Sequence, residues 1–421
     1  MPSWFSHPDR CGPVPKTRGA DCQSAADWQS ASGFVLCPGS GGYQPPRRIP
    51  SCPTICLGII LLAITAFAAG AEPHWDIQYS YRQVDSTLSI NDFLFTSETR
   101  GVLCGFTTDR RGKENPLVMV TTDGGRHWSE TPVKEAGLSM FFLDDSTGWM
   151  VTEKGIWQTT ESGRSWTKMK SAPSGMLRIW FLDKKHGYTA GLEKRVFETL
   201  NGGETWTLLP ISAEAQGDPT YTTYGEIAFS GDGGIIAGWN IPPRPGGPDW
   251  MEPERAAKRR QLPSLTILLE TTDAGKTWKK SEASVFGQVT RVSLAPQGIA
   301  LGLIEYKDEF EYPSEVYRIN TRLNGTSVSA FRDKSRAITD VRTFAGSNRG
   351  LIAGYETSGT IYRSPIPGKL KVLTSDDLEN WQEMTVDYRA VAHRAMISGP
   401  DENHLWIATD TGMILKLVTT E

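Results

Sequence analysis

Two short charged runs carry the residue types from which a binding site is made. Residues 254–260, ERAAKRR, place Arg255, Lys258, Arg259 and Arg260 within seven positions, and Arg244 and Trp250 lie just upstream. Residues 308–312, DEFEY, gather Asp308, Glu309 and Glu311 beside Tyr312. Together they describe a ledge for a protein or glycan, with Trp250 and Tyr312 as aromatic anchors. The competing reading is plainer: surface insertions are tolerated, and charges on them are solvated or pair with one another at modest energy. Catalytic chemistry finds less to work with. His74, His127, His186, His393 and His404 show no metal-ligand spacing, and no nucleophile elbow or phosphate-cradling loop occurs. No metal or cofactor is expected.

The elements that would carry these residues announce themselves by repetition. TTDGGRHW (121–128) returns almost unchanged as TTDAGKTW (271–278), and looser copies read TTESGRSW (159–166), TLNGGETW (199–206) and TSDDLENW (374–381). Each follows a short apolar run, so each octapeptide is expected to join two strands. The acidic position (Asp123, Glu161, Asn201, Asp273, Asp376) accepts hydrogen bonds from turn N–H groups. The glycine two places on (Gly125, Gly163, Gly203, Gly275) supplies positive φ, and the last residue (Trp128, Trp166, Trp206, Trp278, Trp381) buries a large ring on the returning strand. In the last copy Leu378 replaces the glycine, which predicts an altered turn and a cost of about 1 kcal/mol. The first two intervals between copies are about forty residues, one propeller blade each.

These stretches resemble the Asp-box, or BNR, repeat of β-propellers such as bacterial sialidases, sortilin-type receptors and photosystem II assembly factors. The resemblance implies that the boxes are structural, close the hairpin between third and fourth strands, and lie away from any catalytic centre. The spacing in MFFLDDSTGWMV…GIWQTT and IWFLDKKHGYTAG…RVFETL is most similar to the photosystem II assembly and stability factors, which implies a non-catalytic protein-binding scaffold. Nothing in the sequence indicates a photosynthetic host, so the partner of those factors is not carried over. The alternative the resemblance leaves open is a BNR-repeat, sialidase-like glycosyl hydrolase. Such an enzyme needs an arginine cluster, an Asp acid/base and a Tyr–Glu pair. The one Arg-Ile-Pro, Arg48 to Pro50, precedes an apolar run and is lost with it.

Counting strands around the boxes predicts an all-β, seven-bladed propeller of four-stranded antiparallel blades. The last blade lacks a fourth strand, and HWDIQYSYR (74–82) is expected to supply it and close the ring. The charged ledge then falls on the connections between second and third strands of blades four and five, with an insertion at 241–263. The face is enlarged further by the region around 357–368 of blade six.

Residues 1–71 do not belong to this pattern. Arg47 and Arg48 precede ICLGIILLAITAFAA, which ends in Ala69-Gly70-Ala71, the layout of a secretory signal behind a mis-started leader. Cleavage after Ala71 is expected, giving a secreted or periplasmic domain of residues 72–421 without a membrane span. Beyond residue 71 only Cys104 remains, so neither a disulfide within that domain nor a cysteine zinc site is expected. A mildly acidic balance, −4 for the whole chain, argues against nucleic acid as a partner. A monomer is expected.

Overall fold

The computed structural model describes residues 73–242, 263–306, 311–321, 326–356 and 368–419. The leader, the predicted signal and its cleavage site fall outside them. So do Arg244, Trp250, Arg255, Lys258, Arg259 and Arg260 of the insertion, and Asp308 and Glu309.

Seven antiparallel sheets make up the described residues, each with a core of four strands in simple order. The innermost strands are Ser86–Phe95, Gly137–Phe142, Met176–Phe181, Thr222–Ser230, Gln288–Leu294, Arg336–Thr343 and Ala395–Ser398, one from each blade. Blade six carries a short extra strand, Arg389–Ala390, beside its third. The seventh blade runs Ala395–Ser398, Trp406–Thr409, Met413–Val418 and then His74–Ser80. Trp75 pairs with Leu417 and Ile77 with Leu415, so the ring closes through the early strand as the sequence predicts. One piece of helix was not foreseen: the connection from blade three to four holds Pro210–Ala213 and a 3-10 turn, Pro219–Tyr221.

Alternation alone does not produce the inner strands, because nearly every blade breaks it with a bulge. Register shifts fall at Ile90/Asp92, Gly137/Ser139, Met176/Arg178, Tyr224/Glu226, Val289/Arg291 and Ile338/Asp340. An extra residue there increases local twist and re-aims the next side chain. In this ring it turns that side chain toward the axis.

Aromatic residues cement neighbouring blades. Phe181 of blade three stacks on Trp149 of blade two at 3.6 Å, and Phe95 of blade one on Trp406 of blade seven at 3.7 Å. The octapeptide tryptophans meet the same inner-strand rings edge-on: Trp128 on Phe95, Trp166 on Phe142, Trp206 on Phe181 and Trp278 on Phe229. Gly148 sits under the Phe142 ring, where a Cβ would come within 2.7 Å. The Trp-Phe-aromatic triple thus explains why large rings recur at fixed distance from each turn.

Candidate functional site: the axial channel and its two mouths

The octapeptide turns share one face with the connections between first and second strands. Backbone bonds join the two sets: Gly124 N–H to Thr99 O at 2.9 Å, Ser162 N–H to Ser146 O at 3.0 Å, Gly202 N–H to Lys185 O at 2.7 Å. In four turns the leading threonine and the acidic position divide the work. Thr121 Oγ1 donates to Asp123 and accepts from Gly125 N–H, while Asp123 accepts from His127 N–H. Thr271, Asp273, Gly275 and Thr277 repeat this arrangement, and Asn201 does it with a neutral amide. Glu161 instead reaches the Ser165 hydroxyl. Gly125, Gly163, Gly203 and Gly275 have φ between 81° and 92°.

The fifth copy differs by one residue. Its acceptor is Asp377, which takes the N–H groups of Glu379 and Asn380 and the Ser375 hydroxyl. Asp376, aligned with the acid position by the sequence pattern, pairs with Arg349 at 2.9 Å instead. Ser375 lies six positions before Trp381, against seven for the leading threonine of the other turns, so the acid must move one place toward the tryptophan. Leu378 still takes φ of 61°, and its side chain is buried.

The other face collects the connections between second and third strands and those between blades. The insertion springs from it: Asn240 pairs with Leu265 at the base of the 241–263 connection. Tyr312, the one described anchor of the predicted ledge, is flanked by cations, with Arg332 at 5.1 Å and Lys334 at 5.8 Å from its ring. Lys334 also pairs with Glu311. Val84, Leu192, Tyr221 and Val391 are exposed on this same face.

Between the faces runs a channel lined by the inner strands, with a vestibule of about 690 Å³ toward the turn face. At the bulge level it is crossed by a belt of polar links from blade to blade. Asn91 and Asp92 of blade one bond to blade two, the carboxylate taking Met140 N–H at 2.6 Å. Arg178 of blade three pairs with Glu226 of blade four at 3.2 Å, and Glu226 also meets Arg291 of blade five at 3.4 Å. Arg291 reaches Asp340 of blade six at 3.6 Å, and Asp340 takes Ile397 N–H of blade seven at 2.7 Å. Arg394 of blade seven returns to the Asn91 carbonyl. Blades two and three alone lack a polar link among the described residues; there Phe141 lies 4.8 Å from Trp180, and Ser139 Oγ is buried without a partner.

Burial raises the pKa of Glu226 and of Asp340 against the opposing pull of the arginines. For Arg291 burial acts downward, but Glu226 and Asp340 outweigh it and push its pKa up. Three arginines do converge here, yet carboxylates alternate with them and no tyrosine lines either cavity. A Tyr–Glu pair exists elsewhere: Tyr188 donates to Glu198 at 2.8 Å, with His186 beside both, between second and third strands of blade three. That pair is away from the channel and its tyrosine is fully buried. Of the other histidines, His127 serves its own turn and His404 pairs with Asp401. Asp144 caps a tight turn, accepting from Ser146 and Thr147 N–H groups.

None of the belt residues stood out in the sequence. Their signal was nonetheless present: a charged residue three or four places before the end of the inner strand in DFLF, RIWF, EIAFS, RVSL and DVRT.

No protein-family model matches the chain. Over 180 residues it is 26% identical to the photosystem II assembly lipoprotein Ycf48 of Synechococcus sp. (strain CC9902), which covers 40% of this chain and half the length of that relative. The Ycf48 of Thermosynechococcus vestitus (strain NIES-2133 / IAM M-273 / BP-1) is 20% identical over 265 residues, 57% of this chain and 68% of its own. The chain resembles the photosystem II assembly propellers. A solved structure described as YCF48 bound to D1 peptide superposes with a TM-score of 0.54 at 18% identity, covering 82% of this chain and 97% of that one. YCF48 from Cyanidioschyzon merolae gives 0.51 at 14% identity, covering 82% and 98%. Both likenesses concern the fold.

Proposed function

We propose that the protein is a secreted or periplasmic, non-catalytic scaffold that binds a protein segment on the face opposite the octapeptide turns. The observation that carries this reading is the state of the channel's carboxylates. Asp92, Glu226 and Asp340 are each committed to a neighbouring blade, and Asp401 and Glu402 of the vestibule pair with His404 and Arg349, so among the described residues these carboxylates are engaged in structural contacts rather than set as an acid–base pair across a substrate. The exposed apolar residues Val84, Leu192, Tyr221 and Val391, together with the base of the insertion, support the choice of face. The protein class of ligand is supported by the similarity to Ycf48, one of whose structures holds a D1 peptide. A glycan is the other ligand this face would suit.

The test is affinity capture from an envelope fraction with the wild-type domain and a 244–262 deletion. A protein recovered by the first and lost with the second is the expected result. Equal recovery removes the ledge from the proposal, and retention on a glycan array without protein capture replaces the ligand class. For the location, N-terminal sequencing of the exported protein is expected to begin at Glu72.

A further inference from the structure

We propose that the vestibule on the turn face is a binding site for a neutral sugar ring, with Phe141 and Trp180 as its platform. The site lies on the face away from the proposed protein contact and does not depend on that reading.

The void follows from the side chains one layer above the belt. There Leu94, Phe141 and Trp180 of blades one to three are bulky, whereas Ala228, Ser293 and Ser398 of blades four, five and seven are small. The first three fill their side of the ring and the others leave theirs open, so the cavity of about 690 Å³ faces an apolar wall. Its size is that of an ordinary small-molecule pocket. Phe141 and Trp180 are half-buried, with ring centroids 4.8 Å apart and planes inclined by 41°. Each has a second ring behind it, Trp149 at 6.5 Å from Phe141 and Phe229 at 6.3 Å from Trp180. The platform is therefore set before any ligand arrives, which lowers the cost of binding.

The opposite wall is polar. Arg342 of blade six, half-buried, donates one N–H to the Gly399 carbonyl at 2.6 Å and keeps further N–H groups of its guanidinium. The Asn403 amide is exposed at the rim. Charge does not select the ligand here. Arg178, Arg291 and Arg342 on the lining are matched by Asp92, Glu226 and Asp340, and Asp401 and Glu402 pair with His404 and Arg349. An ion would gain little from so balanced a lining, and a hydrocarbon would leave the polar wall unpaired. A pyranose suits both walls, because its C–H face is apolar and its hydroxyls lie around its edge. With the lining carboxylates engaged in structure, the ring is held and not cleaved.

The experiment titrates the purified protein calorimetrically with glucose, galactose, N-acetylglucosamine and the trimer of the last, with acyclic sorbitol as the control. Saturable binding of at least one cyclic sugar is expected, with sorbitol at least tenfold weaker because it has hydroxyls but no apolar face. Tighter binding of the trimer than of its monomer assigns the site to the end of a glycan; equal binding assigns it to a free sugar. Ala345→Trp, at the exposed rim of the vestibule, should abolish binding with the circular dichroism and thermal midpoint unchanged. Trp180→Leu keeps an apolar side chain but removes the indole, and should weaken binding at least tenfold in a variant that still melts cooperatively. No saturable response to any cyclic sugar overturns the proposal. So does sorbitol binding as tightly as the best sugar, or undiminished affinity in a folded Ala345→Trp.

Discussion

Glu226 shows how much a single residue of the belt has to carry. Its carboxylate faces two guanidinium groups within 3.4 Å, and removing it would leave Arg178 without its carboxylate partner and Arg291 with Asp340 alone. Glu226→Ala is expected to destabilise the fold by about 3–5 kcal/mol in urea unfolding. Glu226→Gln should cost less, because the amide still accepts. The pH dependence has a definite sign. The folded-state pKa is raised, so the folded protein holds the proton more tightly than the unfolded chain. The contribution of Glu226 therefore falls as pH rises above the unfolded value of about 4.3, and the wild type's advantage over Glu226→Gln should narrow over that range. Such a residue is hard to see from sequence. In EIAFS the glutamate alternates with apolar neighbours and reads as a solvent-facing position. Only the bulge at Tyr224/Glu226 and the closure of the ring make that position axial.

At the level of the element, the turns were the most legible part of the molecule, because their chemistry is local. Threonine, acid and glycine each answer to a contact within eight residues, and the tryptophan packs on the inner-strand ring of the same blade. The exception has the same cause: in TSDDLENW the tryptophan fixed the alignment, although the hydrogen bonds follow the serine and so select Asp377 over Asp376. The acids of these turns should shape the acid limb of stability. Hydrogen bonds from the Thr277 hydroxyl and N–H, and from Thr271, bring Asp273 to about 2. Asp123 also lies at about 2, because bonds from His127 and Thr121 outweigh the opposing effect of burial. Their folded values are depressed, so their contribution is present above pH about 4 and is lost as pH falls toward 2. Asp123→Asn and Asp273→Asn should flatten that limb in urea midpoints measured from pH 5 to 2. Asn201 already shows that an amide can hold the turn. The same variants should leave the urea midpoint at pH 7 close to that of wild type, because the amide keeps the turn's hydrogen bonds.

For the whole molecule, closure governs both what was readable and what should fail first. The early strand was readable as the missing member of the last blade because three strands without an edge cover are an incomplete unit. The short helix between blades three and four was not, since Pro210–Ala213 is too brief to show a helical period. Trp75 is 7% exposed and packs into the core shared by blades six and seven. Trp75→Ala should cost about 3–5 kcal/mol, and deletion of 73–80 should abolish the single cooperative transition in calorimetry. The belt predicts a second weak place. Blades two and three meet through apolar contacts with no polar link among the described residues, so amides of Gly137–Phe142 and Met176–Phe181 should exchange faster than those of the other inner strands. Uniform protection around the axis would show that the polar links contribute little to holding the blades together.

The pairing of His74–Ser80 with Met413–Val418 also sets an order in time. A ribosome makes the first of these segments long before the second, and a translocon would release them in the same sequence. Throughout that interval the three inner strands of blade seven do not yet exist, and the leading strand, its future outer edge, waits with its apolar Trp75 uncovered. Whatever shields that strand during the delay, a chaperone or its own upstream residues, must let go only when the final hairpin arrives. The last step of maturation is then a meeting of beginning and end, and its rate should depend on the tail of the chain more than on any blade in between.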